Sequence, residues 1–237
     1  MHTLQRAGPQ SIFEDDELLV VDKPGNLVCH SSDRPTLAGW LREHGIATPR
    51  LVNRLDRETS GLVVVAKNER AGRILGKQVL RREIQKEYLA ICWGEFRQDA
   101  GRIDQPIAIT GHGVVYTKRV VDAAGKPSVT EFAVERRLSG FTLVRLFPKT
   151  GRAHQLRVHM AWLGHAIVGD KIYGPDERLY LQFINEGVTG EMLGKLLLPR
   201  HALHAARLSL LHPVTRQHLE FEAPLPDDMQ TFIAEHE

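Results

Sequence analysis

Residues 54–61 read RLDRETSG and place one carboxylate, Asp56, between two guanidinium groups, Arg54 and Arg57, in a short polar turn. Nearby positive charge lowers the pKa of a carboxylate, so an aspartate in this setting stays ionised. A fixed, ionised carboxylate can act as a nucleophile or as a general base. The same residues also suit a solvated turn, with the arginines in surface ion pairs to Glu58 that add little stability. A second polar cluster, TGRAHQLRVHM at residues 150–160, carries Arg152, His154, Arg157 and His159. Its cations can meet a carboxylate brought in from elsewhere in the chain.

Both clusters need elements to hold them. Leu62-Val63-Val64-Val65-Ala66 directly follows the first and reads as a buried strand, so the turn sits at a strand's mouth. Residues 141–147 form a strand that breaks at Pro148 and Gly151, and a helix begins near His154. Leu156, Met160 and Leu163 recur at i, i+4 and i+7 and make its core-facing stripe. His154, Arg157 and Ala161 fall on another face, which points Arg157 away from the core, and Gly164 ends the helix. A basic helix follows the first strand. Asn68 caps it, Ala71, Ile74, Leu75, Val79 and Leu80 form its apolar stripe, and Arg70, Arg73, Lys77 and Arg81 form a ridge, against the helix-weakening Gly72 and Gly76.

Further strands are expected at 17–22 (ending at Lys23-Pro24-Gly25), 88–92, 129–135 and 203–210, with a short helix at 36–44. Residues 96–127 read as a hairpin or long loop, and 175–198 as a loop. Strands separated by turns with few helices, and no regular βαβ alternation, indicate an α+β fold in a single domain with its core at about residues 12–229.

Four stretches occur in order: RLDRETSGLVVVAKN (54–68), KEYLAICWGE (86–95), TGRAHQLRVHMAWLGHAIVGDKIYG (150–174) and LHAARLSLLHPVT (203–215). Together they resemble the RluA-type family of pseudouridine synthases, and ELLVVDKPGNLVCH (17–30) resembles that family's opening strand and Lys-Pro turn. The resemblance covers almost the whole chain. Several ordered motifs are far more specific than one. It implies the pseudouridine synthase fold, a largely antiparallel central mixed sheet with flanking helices and loops about an RNA-binding cleft. It also implies conversion of uridine to pseudouridine in structured RNA, ribosomal rather than transfer RNA. Asp56 matches the family's catalytic aspartate, Arg157 the arginine that pairs with it, and Tyr88 the active-site tyrosine that stacks on the target base. Arg54 matches the arginine that fills the space of the flipped nucleotide. By pattern alone Tyr88 is equally a strand tyrosine. Two features depart from the family: Asn53 stands where His usually precedes the RLD tripeptide, and no S4-type RNA-binding domain is expected ahead of residue 12.

The chemistry suits these residues. The glycosidic bond breaks if a carboxylate attacks C1′ or removes the C2′ proton, and the sequence leaves both routes open. The isomerisation is redox-neutral, so no cofactor is expected. Extruding the uridine costs roughly a few kcal/mol, offset by stacking on Tyr88 and on the flat Arg54 guanidinium.

Composition fits a soluble globular protein: 42% hydrophobic, 25% charged, net charge only +2. Charge is unevenly spread. Residues 67–86 hold seven cations against Glu69 and Glu83, whereas 219–237 hold six anions and no Lys or Arg. Phosphate contacts are therefore expected from Lys67, Arg70, Arg73 and Lys77 beside Arg54, Arg57, Arg152 and His154. Cys29 and Cys92 form neither a disulfide framework nor a zinc spacing. No signal peptide or membrane span is read, which indicates a cytoplasmic protein, a monomer with RNA as partner. Two rivals stand beside this reading. One is a metal-dependent hydrolase using His154, His159, His165 and Asp170, disfavoured because histidines five apart fall on different helix faces. The other is a non-catalytic RNA-binding module that keeps the fold.

Overall fold

The computed structural model describes residues 8–31, 35–110 and 115–237. In chain order the elements are β1 (Gln10–Glu14), β2 (Leu18–Lys23), α1 (Leu37–Glu43), β3 (Arg50–Leu51), β4 (Ser60–Ala66) and α2 (Glu69–Leu80). There follow β5 (Gln85–Trp93), β6 (Ala100–Asp104), β7 (Ile107–Ile109), β8 (Arg119–Val121), β9 (Val129–Leu138) and β10 (Phe141–Pro148). The chain ends with α3 (Gln155–Trp162), α4 (Arg178–Glu186), α5 (Gly190–Leu196), β11 (Leu203–Leu211), β12 (His218–Glu222) and α6 (Asp227–Glu235). The architecture is α+β, as expected. It falls into two compact units, one of Met1–Lys86 with Ala205–Pro224, the other of Glu87–His204 with Leu225–Glu237.

In the first unit the strands lie in the order β1-β2-β4-β11, with β3 beside β4 and β12 beside β11. β2 runs antiparallel to both β1 and β4. Every residue of β4 is buried, as its continuous apolar run requires of a strand covered on both faces. Leu18, Val20, Leu62, Val64, Ala71, Leu75, Leu208 and Phe221 form one core cluster. Gly61 opens β4 at φ +106°, and a Cβ there would lie 2.3 Å from the Ala205 carbonyl oxygen, so only glycine permits this approach.

Helix α2 forms where expected, and the Asn68 side chain accepts from the Ala71 N–H at its start. Its buried stripe differs from the sequence reading. Ala71 and Leu75 are buried, but Leu80 is 84% exposed and Val79 lies at the surface, while Gln78 is buried. Gln78 can be buried because both ends of its amide are satisfied: Nε2 donates to the Leu211 carbonyl (2.6 Å) and Oε1 accepts from the Leu211 N–H (3.0 Å). The side chain extends the β11 ladder.

In the second unit the strand order is β5-β10-β9-β6, and the β5–β10, β9–β10 and β6–β9 pairings are antiparallel. A two-stranded ribbon, β7–β8, stands apart. The core gathers Ile91 and Cys92 of β5, Val144 and Leu146 of β10, Leu156 and Met160 of α3, and Met229 and Phe232 of α6. Leu163 packs against it, completing the predicted stripe of α3, and Gly164 follows the helix at φ +91°. The hairpin expected within 96–127 forms as β7–β8, whereas the loop expected at 175–198 is structured. Residues 96–127 contain β6, β7 and β8, with residues 111–114 outside the described residues, and 175–198 fold into α4 and α5 around Leu179, Met192 and Leu196. The chain thus has more helix than the sequence suggested, in α4 and α5.

Candidate active site

The RLD turn lies in the first unit, between β3 and β4. Leu55 is buried beneath it, and its carbonyl accepts from the Cys29 thiol (3.5 Å). Asp56 and Arg57 are half-buried and Arg54 is exposed. The Asp56 carbonyl accepts from the Thr59 N–H (3.2 Å), closing the turn behind the carboxylate. Arg57 reaches Glu58 at 3.4 Å, the ion pair expected of a solvated turn, but Glu58 is buried rather than at the surface.

Two side chains pin this turn from below. Lys23 is fully buried, and its ammonium donates to the carbonyls of Pro24 (2.8 Å), Leu27 (2.9 Å) and Arg57 (3.3 Å). It thereby ties the Lys-Pro turn to the residue after Asp56. The sequence marks Lys23 as a strand end and as part of the family's Lys-Pro turn, but not as the buried anchor of the Asp56 turn. Asn53 is buried too. Its amide donates to the Leu62 carbonyl (3.0 Å) and accepts from the Val64 N–H (2.8 Å), pairing with β4 as a strand backbone would. The departure from the family's histidine is thus a structural contact bonded through both ends of its amide.

Tyr88 and Arg157 lie in the second unit. Tyr88 is a half-buried residue of β5, opposite Leu146 of β10, and packs against the main core cluster. Arg157 sits in the first turn of α3, but it is 5% exposed rather than pointing away from the core. Asp170 makes this burial tolerable. The Arg157 Nε donates to Asp170 Oδ2 (2.6 Å) and Nη2 to Oδ1 (2.9 Å), a bidentate fork, and the guanidinium lies 5.0 Å from the centre of the Tyr173 ring. The N–H groups of Ile172 and Tyr173 also donate to Asp170 Oδ1. Burial alone would raise the Asp170 carboxyl, but the Arg157 charge and hydrogen bonds outweigh it and hold the group well below the usual range. Asp170 was read only as a metal-ligand candidate; its role was not visible because the pair is thirteen residues apart.

The approach to α3 is held just as tightly. Gln155 accepts from the Thr150 hydroxyl (2.7 Å) and the Arg152 N–H (3.0 Å), and donates to the Val129 carbonyl (2.9 Å). His154 adopts left-handed φ of 59°, and its Nδ1 lies 2.8 Å from the Tyr173 hydroxyl. That hydroxyl also accepts from the Arg119 N–H (2.9 Å), which ties the His154 ring to β8 through Tyr173. Arg152 is exposed, with Nε 3.3 Å from the Pro127 carbonyl.

The basic residues of the first unit divide. Arg70, Arg73 and Lys77 are exposed on one side of α2. Lys67 instead bonds to Glu14 (2.7 Å) and the Asp15 carbonyl (2.6 Å), holding the β1–β2 turn. The four residues of the metal rival are each engaged elsewhere. His159 lies between Thr130 Oγ1 (2.8 Å) and the Gln105 carbonyl (3.0 Å), His165 bonds the Trp93 carbonyl (2.8 Å), and His154 and Asp170 are bonded as above. Among the described residues no three His, Cys, Asp or Glu side chains are grouped to hold a metal ion, and no helix is long and apolar enough to cross a membrane.

The RNA pseudouridylate synthase family matches residues 17–162, a stretch that contains Asp56, Tyr88 and Arg157. Ribosomal large subunit pseudouridine synthase D of Nitrosomonas europaea is 38% identical over 94% of this chain and 63% of its own length. The synthase D of Vibrio cholerae is 39% identical over 92% and 68%. The chain therefore spans about two thirds of these relatives. Two human structures are similar: RNA pseudouridylate synthase domain containing 1, with TM-score 0.73 and 28% identity over 92% of this chain and 83% of that one, and domain containing 4, with TM-score 0.71 and 27% identity over 93% and 90%. With more than half of its length matched and fold and sequence in agreement, the chain belongs to the RNA pseudouridylate synthase family.

Proposed function

We propose that this protein isomerises uridine to pseudouridine in structured RNA, ribosomal rather than transfer RNA, with Asp56 as the catalytic carboxylate. The observation that carries this reading is the family match across residues 17–162, within which Asp56 stands on a turn fixed by Lys23, Leu55 and Thr59. The names of the bacterial relatives, ribosomal large subunit pseudouridine synthase D, support the choice of RNA.

In the reaction the N1–C1′ bond breaks, the uracil turns, and a C5–C1′ bond forms. N1 gains a proton, and C5 loses one to a base. Asp56 starts the first step by attacking C1′ or by taking the C2′ proton. Tyr88 supplies a rigid aromatic face for the extruded base. Arg157 supplies a guanidinium whose position Asp170 and Tyr173 set before substrate arrives, so little reorganisation is needed during the reaction. Arg54, Arg57, Arg152 and His154, with Arg70, Arg73 and Lys77, contact RNA; phosphate contacts of this kind position a nucleic acid without reading its sequence. The enzyme acts as a cytoplasmic monomer.

The test is tritium release from RNA labelled at uridine C5, with wild type compared against Asp56→Ala and no cofactor added. Release by wild type alone is expected. RNA binding without release by wild type would replace this reading with a binding module that keeps the fold.

A further inference from the structure

Side chains of a strand alternate, so Lys86, Tyr88, Ala90 and Cys92 project to one face of β5. Ala90 and Cys92 are fully buried, Tyr88 packs at the edge of the same cluster, and half-buried Lys86 comes next along that face. The acids next to it in the chain are taken: Glu87 holds Arg145 at 3.0 Å and Glu83 faces Arg81 at 3.8 Å. Among the described residues the Lys86 ammonium makes no hydrogen bond and no ion pair, and burial alone acts on it, pushing its pKa down.

This sets Lys86 apart from the other shielded cations. Lys23 has three carbonyl acceptors, Lys171 has the Pro199 carbonyl at 2.7 Å, and Arg200 has a bidentate pair with Asp228. A shielded charge without a partner is costly to keep. The cost makes sense if a ligand brings the anion.

We infer that Lys86 binds a phosphate of the RNA, the one flanking the nucleotide whose base stacks on Tyr88. Side chains two apart on a strand stand about 6.6 Å from one another, a spacing of the order that separates a base from its own phosphate. A lysine ammonium is a compact point charge suited to one such group. The inference rests on the pseudouridine synthase reading and adds to it a binding residue for the target nucleotide.

The probe is an unmodified transcript of large-subunit ribosomal RNA. Binding is measured against salt for Asp56→Ala and for Asp56→Ala with Lys86→Met, and melting and tritium release for wild type and Lys86→Met. Loss of the ammonium should weaken binding about tenfold near 0.1 M salt and lower the salt slope by about one. Lys86→Arg should keep the slope. The melting temperature of Lys86→Met should stay level or rise, since an unpartnered charge is removed, whereas a structural lysine would lose stability. Unchanged affinity and slope while wild type still releases tritium would overturn the Lys86 assignment alone, as would a lowered melting temperature that accounts for the loss. Absence of both binding and release in wild type would overturn this inference together with the function on which it rests.

Discussion

Arg157 and Asp170 form a bidentate ion pair in which both side chains are almost wholly shielded from water, at 2.6 and 2.9 Å. The carboxylate is itself held by the Ile172 and Tyr173 amides, so the guanidinium is fixed by the backbone through Asp170. On the proposed function, in which Arg157 serves the reaction, Asp170 positions it.

Asp170→Asn should leave Arg157 shielded with its charge uncompensated, a loss of about 3–5 kcal/mol in a urea melt. Single-turnover tritium release should fall by about 100-fold, the scale of a misplaced catalytic group, with RNA affinity nearly unchanged. Arg157→Lys should not restore activity, because an ammonium cannot make the fork. The pair should also resist acid. The folded Asp170 pKa lies below the ordinary 3.8, so its contribution is present above that value and is lost only as pH falls through the lower one. Full activity in Asp170→Asn would remove the positioning role.

Lys23→Met should act on the turn that carries Asp56. It takes one donor from three carbonyls, of which Arg57's is next to Asp56, the proposed catalytic carboxylate. An unmet buried acceptor costs about 1–3 kcal/mol, so a stability loss of about 3 kcal/mol is expected. Turnover should fall at least about tenfold with KM for RNA held, since Arg57's carbonyl no longer has that anchor. A drop in KM alone would contradict this.

What the sequence made legible follows from period and adjacency. The run at residues 62–66 announced β4, and Asn68 announced the start of α2, because both signals are local. The motif order also made the family legible, because four stretches in sequence carry it. What stayed hidden depends on distant partners. Gln78 is buried only because Leu211, 133 residues on, completes its amide, and Asp170 matters only because Arg157 turns inward. Lys67 reads as one more cation of the basic segment until Glu14 and Asp15 are seen beside it.

Two buried histidines should make the protein acid-sensitive. His159 Nε2 donates to the Gln105 carbonyl and Nδ1 lies 2.8 Å from Thr130 Oγ1, and burial outweighs the Gln105 bond to lower its pKa below 6.5. His201 is buried and shifted further the same way. The unfolded chain takes up these protons near pH 6.5 while the folded one does not. Their contribution is therefore full above that pH and is lost as pH falls towards the folded values. Stability should drop between pH 7 and pH 5 at up to about 1.4 kcal/mol per pH unit for each histidine, and His159→Gln should remove one share. A flat melting profile over that range would exclude the effect.

The ridge on α2 should separate affinity from stability. Arg70, Arg73 and Lys77 are exposed, so replacing all three with Gln should change stability by less than about 0.5 kcal/mol per site. If each meets a phosphate, the slope of log affinity against log salt should shrink by about two to three. Lys67→Gln should behave differently, losing up to about 1 kcal/mol of an exposed ion pair with little effect on the slope. Equal slopes for the triple variant and wild type would place the RNA elsewhere.

Two glycines should respond to alanine in opposite directions. At Gly61 the new Cβ would meet the Ala205 carbonyl oxygen at 2.3 Å, its nitrogen at 2.7 Å and its carbon at 2.8 Å. All three are backbone atoms, so no side chain can swing aside. The φ of +106° adds a strain of its own for any L side chain. Gly61→Ala should cost about 3 kcal/mol or more. The fraction that still folds should turn over slowly, because β4 would have to shift at the end that carries the Asp56 turn. Gly76 lies inside α2 with nothing within 4 Å of its would-be Cβ. There alanine removes the entropy penalty of a helical glycine, so Gly76→Ala should gain about 0.5–1 kcal/mol and leave tritium release unchanged. Measured side by side, the pair isolates close backbone approach at residue 61 from glycine content in general, and a Gly61→Ala protein as stable as wild type would refute the packing of β4 described above.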